Sequence, residues 1–137
     1  METLRNIRIF NTTRAEYAKA ENIVLWILQI LTAIAFLTAG LAKLCGNAKM
    51  IAFFANLGLG QWFRFVTGAI EFFSALMLIV PRSVPIGALL LIVTMLGAIA
   101  VHLFVIGGSP LVPIMLLAFN IVIFLGRSCL LNKRRTA

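Results

Sequence analysis

The chain has 137 residues, of which 62% are apolar and 12% charged, about half the charged share of a soluble domain. With a mean hydropathy of +1.07, this excludes a soluble globular domain and predicts an integral membrane protein with room for one bundle and no separate soluble domain. The formal charge of +8 falls in the two tails and at the ends of apolar runs. No basic stripe carries aromatic residues for stacking, so lipid head groups, not nucleic acid, are the expected anionic neighbours.

Residues 1–21 read as a polar tail. Leu4, Ile7, Phe10 and Tyr17 recur at helical spacing among Arg5, Arg8, Arg14 and Lys19. That pattern fits a short helix on the membrane surface, with an irregular tail as the alternative. The tail is longer and more acidic than the basic segment of a cleavable signal, so the first span is expected to be retained. That span, 22–42, carries no charge and is long enough to cross a hydrocarbon core of about 30 Å. Trp26 and Lys43 stand near its two ends as interfacial anchors.

Residues 47–60 place Met50, Ile51, Phe53, Phe54 and Leu57 on one apolar face, and Gly58 and Gly60 then break it. This predicts a short interfacial or re-entrant helix, whose break protein or water must cover. The second span runs over 61–80 and closes at Pro81. The third covers 84–106, followed by the turn Gly107-Gly108-Ser109-Pro110, and the fourth covers 111–126. A basic tail, 127–137, completes an all-α, antiparallel four-helix membrane bundle.

Four spans bring both termini to one side. That side carries Arg5, Arg8, Arg14, Lys19, Arg82, Arg127, Lys133, Arg134 and Arg135, and the other only Lys43, Lys49 and Arg64. The excess predicts cytoplasmic termini. Cys45 and Cys129 then lie on opposite faces, beyond the reach of a disulfide. They form no CxxC pair, so both are expected to be inert thiols.

Ionisable residues inside a span are costly and mark functional positions. Counted from the side opposite the termini, Glu71 lies about 13–15 Å deep and His102 about 7 Å deep at the helical rise. Lys43 stands at that surface and Asn120 lies near the midplane. Arg64, Thr67, Glu71 and Ser74 share one face of the second span. Thr94, Ala98 and His102 share one on the third, as do Ala35, Ala39 and Lys43 on the first, the last a small-residue surface suited to close helix approach. The four spans are therefore expected to bring their polar groups together in the outer half of the bilayer.

Three uses follow from these residues. Glu71 and His102 form a candidate proton relay, able beside a quinone to take or supply the protons that accompany electron transfer. Lys43, Arg64, Trp62, Thr67 and Asn120 are candidates for holding a ligand. Alternatively, Glu71 pairs with Lys43, Arg64 or His102 to set helix register. One His and one Glu are too few ligands for a closed zinc site, so no metal is expected. The chain contains no Asp, which removes a Ser–His–Asp arrangement.

At these residues the chain resembles the DoxX-like membrane family. Gly40, Lys43 and Leu44 match its ending of the first span, and Leu57, Gly58, Leu59 and Trp62 its approach to the second. Gly68 and Glu71 match its Gly-x-x-Glu, and His102 a late histidine in the third. The resemblance covers about residues 25–127, and Gly60 departs from the Pro of many relatives. It implies a four-helix membrane bundle but no single function: some relatives are small subunits of membrane oxidoreductases, including a thiosulfate:quinone oxidoreductase. Others associate with redox-detoxification proteins, or act as receptor-assembly chaperones or cargo receptors.

The leading expectation is a small membrane subunit tied to quinone-linked redox chemistry in a bacterial plasma membrane. Its cofactor would be a diffusing quinone with nothing covalently bound, since the chain has no CxxC, haem-ligating His pair or flavin motif. An oxidoreductase or another membrane protein is the expected partner, besides the bilayer and a second copy of the chain. The competing expectation is a non-enzymatic assembly factor, chaperone or scaffold for other membrane proteins.

Overall fold

The computed structural model describes residues 1–135, with the side chains of Leu4, Arg134 and Arg135 excepted. The last two residues of the basic tail, and the part played by Leu4 in the N-terminal apolar spacing, lie outside the described residues. The chain forms α1 (Glu2–Leu44), α2 (Ala48–Asn56), α3 (Gln61–Ile79), α4 (Val84–Val101), a π-helical turn (His102–Ile106) and α5 (Leu111–Arg135). Four of these segments are long and apolar enough to cross a membrane. The protein is an antiparallel four-helix membrane bundle with a short helix between its first two spans.

α1 packs on α3 and α5, and α4 packs on the same two helices. Among the described residues no close backbone approach joins α1 to α4 or α3 to α5, so those pairs stand on the diagonals. The core between them is built from Ala33, Phe36, Ala75, Leu78, Val84, Ala88, Leu91, Met95 and Ile123. Aliphatic residues on the outer faces, such as Leu31, Val93 and Leu125, are exposed, as a surface surrounded by lipid tails requires.

α1 and α3 cross through two glycines. A Cβ on Gly40 would lie 2.9 Å from Gly68 O and from Phe72 N, and one on Gly68 would lie 2.9 Å from Lys43 Cβ. Backbone atoms cannot yield, so the crossing needs hydrogen at both positions. The small-residue surface expected at Ala35 and Ala39 is not the contact: Ala35 is exposed. The true stripe, Ala33, Phe36 and Gly40, lies beside it.

Two helices are longer than their apolar spans. α1 continues unbroken to Glu2, and at the helical rise its 43 residues extend about 64 Å, twice the hydrocarbon thickness. Its first 20 residues form an exposed helix continuous with the span, which decides for a helix over the irregular tail that the sequence also allows. α5 likewise runs on to Arg135 and takes up most of the basic tail. Polar residues there keep good helix propensity, and no Gly or Pro stops them.

The break between the first two spans takes the expected form. Asn47 Oδ1 accepts from Lys49 N at 3.0 Å and caps α2. Phe54 is the buried residue of that helix, and Gln61 Nε2 donates to Ile51 O at 3.0 Å, tying α2 to the start of α3. Gly60 has φ +79°, which only glycine adopts without strain.

Candidate functional site

The glycine crossing positions the charged residues. Gly40 precedes Lys43 by three residues, and Gly68 precedes Glu71 by three. On antiparallel helices in backbone contact this spacing carries each charge one turn onto the shared face. Lys43 Nζ meets Glu71 Oε1 and Oε2 at 2.5 Å each. The glutamate side chain is 4% exposed and the lysine 16%. A carboxylate held by an ammonium in a low-dielectric setting is stabilised by charge-assisted hydrogen bonds to both oxygens.

Arg64, 5% exposed, completes the group from above. Its NH1 donates to Lys43 O at the C-terminal end of α1, where a cation offsets the helix dipole and a carbonyl lacks an intrahelical partner. Arg64 Nε donates to Gln61 Oε1 at 2.8 Å. The guanidinium thereby fixes the backbone that carries Lys43, and Lys43 in turn holds Glu71.

The other expected site residues are dispersed around this pair. Thr67 Oγ1 donates within its own helix, to Phe63 O at 2.9 Å and Arg64 O at 3.2 Å. Trp62 is exposed in the first turn of α3. Asn120 is fully buried on α5, and its Nδ2 donates to Leu116 O at 2.7 Å. His102 opens the π-helical turn, which packs on α4 but makes no close backbone approach to α1, α2, α3 or α5. His102 Nδ1 is buried with no hydrogen-bond partner among the described residues, and a Cβ added to Gly108 would lie 3.5 Å from it. No direct bond joins His102 to Glu71 or Lys43.

A second polar cluster, not anticipated from sequence, closes the terminal side of the bundle. Arg127 Nε donates to Gln29 Oε1 at 2.8 Å and Arg127 NH1 to Asn22 Oδ1 at 2.8 Å. Its guanidinium lies 4.8 Å from the centre of the Trp26 ring, in cation–π range. Gln29 Nε2 donates onward to Leu78 O at the end of α3, so one glutamine links three helices. Asn22, Trp26 and Gln29 recur at intervals of four and three on α1, a polar face that charge counting overlooks because its amides are neutral. Arg127, expected in a solvated tail, is 8% exposed.

Among the described residues no group of three or more metal-ligating side chains converges, and Cys45 and Cys129 are free and exposed. No curated protein and no solved structure matches this chain. A family model described as the DoxX-like family matches residues 27–125, a stretch that contains the glycine crossing, the Lys43–Glu71 pair, Arg64 and His102. The match takes in part or all of each of the four membrane helices, and the chain belongs to the DoxX-like family.

Proposed function

We propose that the protein is a small membrane subunit of a quinone-linked redox system, seated in a bacterial plasma membrane with both termini in the cytoplasm. The observation that carries this reading is the Lys43–Glu71 pair: an acid and a base in mutual contact inside a membrane bundle, where ionisable groups are kept for proton and ligand handling. His102 Nδ1, buried and unbonded, fits a polar head such as a quinone oxygen, and the π-helical turn that carries it is a geometry common at functional sites. A bound quinone would supply the two-electron chemistry. The chain's own residues would orient the head through His102, hold a proton at Glu71 and exclude bulk water. Electrons would come from a partner oxidoreductase.

The test is equilibrium binding of a short-chain benzoquinone to the purified protein in nanodiscs. His102→Ala is expected to weaken binding about tenfold, the weight of one lost hydrogen bond. Absence of saturable binding to the unmodified protein would overturn the reading.

A second reading is favoured by a separate observation. The exposed N-terminal part of α1 carries Ile7, Ile9, Phe10 and Tyr17 in the open, ahead of Leu25, where the helix enters the core. An assembly factor would use such a helix to hold another membrane protein. Co-purification of one defined membrane partner, lost on removing residues 1–18 and unaffected by Glu71→Gln, would select this reading over the first.

A further inference from the structure

Three buried oxygens lie between the two polar clusters. Thr32 Oγ1 on α1, Ser74 Oγ on α3 and Asn120 Oδ1 on α5 are shielded and have no hydrogen-bond partner among the described residues, and their residues are at most 2% exposed. Each such group costs about 1–3 kcal/mol if it stays unpaired, so buried polar atoms of this kind are normally met by ordered water.

Their levels along the bundle axis are set by contacts on either side. α5 passes α1 with Gly126 against Leu25 and Arg127 bonded to Gln29. The same antiparallel register sets Thr32 opposite the turn that holds Asn120. α3 passes α1 with Phe72 against Gly40 and Leu78 O bonded to Gln29, which places Ser74 between the level of Glu71 and that of Thr32. The neighbouring core sets the small side chains of Ala33, Ala75 and Ala88 among larger ones, Phe36, Leu78, Leu91 and Ile123, all buried.

We propose that Thr32, Ser74 and Asn120 bind ordered water, and that this water is the middle of a polar column that brings protons from the terminal side, past Gln29 and Arg127, to Glu71. Glu71 to Ser74, and Thr32 to Gln29, are each steps of three residues, about 4.5 Å along the axis. One water with two hydrogen bonds of about 2.8 Å spans such a step. The transfer is a relay: each water and each hydroxyl of Thr32 and Ser74 that accepts a proton releases another to its neighbour, Asn120 Oδ1 only accepts a hydrogen bond that holds a water in line, the carboxylate of Glu71 takes the last proton, and no electron moves. The water site stands on the geometry alone, whereas the delivery of protons rests on the proton-holding role of Glu71 proposed above.

The experiment uses the full chain in nanodiscs, free of quinone. X-ray hydroxyl-radical footprinting marks side chains beside bound water. Phe36, buried at 1% exposure and one turn from Thr32, is expected to be labelled in the unmodified protein, and less so in Thr32→Val and in Asn120→Leu. Those near-isosteric variants are expected to melt at lower temperature, because bound water loses a partner. In Ser74→Ala, Thr32→Val and Asn120→Leu, infrared detection of Glu71 protonation after an acid pulse on the terminal side is expected to slow about tenfold, with Glu71→Gln identifying the band. An unlabelled Phe36 together with variants that melt higher would overturn the water site. Labelling with an unchanged protonation rate in all three variants would overturn the column. Neither result depends on quinone binding, so failure of the redox reading is told apart by the binding assay.

Discussion

Removing either member of the Lys43–Glu71 pair should have unequal consequences. Breaking a buried ion pair by deleting one partner costs about 3–5 kcal/mol, because the survivor is left charged in a poor solvent. The survivors here differ. Lys43 is the penultimate residue of α1, its side chain is 16% exposed, and its four methylenes let the ammonium reach the outer interface. Glu71 is 4% exposed, sits in the interior of α3 and has no such escape. Glu71→Leu is therefore expected to cost about 1–2 kcal/mol, and Lys43→Met the full 3–5 kcal/mol. The double variant, with an apolar pair of similar volume, should return to within about 1–2 kcal/mol of the parent, giving a coupling of about 4 kcal/mol. Equilibrium unfolding in mixed detergent micelles measures all four corners. Equal costs for the two single variants, or additivity in the double variant, would refute the reasoning.

Gly40→Val should be more damaging than Lys43→Met, since its side chain meets Gly68 O and Phe72 N and must part the helices that carry the pair; the same unfolding assay ranks the two. Gly126→Ala meets only the movable end of Leu25 and is expected to cost less than about 1.5 kcal/mol. Arg127→Lys should fail to restore what Arg127→Leu loses, about 2–3 kcal/mol, because an ammonium cannot reach Gln29 and Asn22 together while covering Trp26. Membrane-impermeant thiol reagents applied to vesicles should reach Cys45 from one face and Cys129 from the other; labelling of both from a single face would overturn the proposed topology.

The spans were legible because each is a run of apolar residues closed by a breaker, and hydrocarbon permits only helices there. Pro81, the Gly107–Pro110 turn and the glycines at 58 and 60 carry their punctuation on the surface of the sequence. The glycine-to-charge spacings of Gly40 with Lys43 and Gly68 with Glu71 were equally visible, and they do form the site. His102 is expected from sequence to meet Glu71, whereas the structure keeps the two without a direct bond, because among the described residues the π-helical turn packs on α4 alone. Its π-helical turn left no trace, since a one-residue change of winding alters no composition.

The terminal-side cluster shows where sequence reading stops. Gln29 and Asn22 are uncharged, so a search for ionisable residues passes over them, and Arg127 follows an apolar run in the way a solvated tail would. Pairing Gln29 with Arg127 joins residues 98 apart, and no local pattern encodes a contact between the first and last spans.

What the amino-acid order determined by itself is the count of spans, their limits and the spacing that sets Gly40 with Lys43 and Gly68 with Glu71, because these follow from hydropathy, breakers and helical period. Which face meets which was decided only in three dimensions. Two glycines let α1 and α3 touch backbone to backbone, and that approach, not the presence of the charges, turns a lysine and a glutamate 28 residues apart into one buried pair.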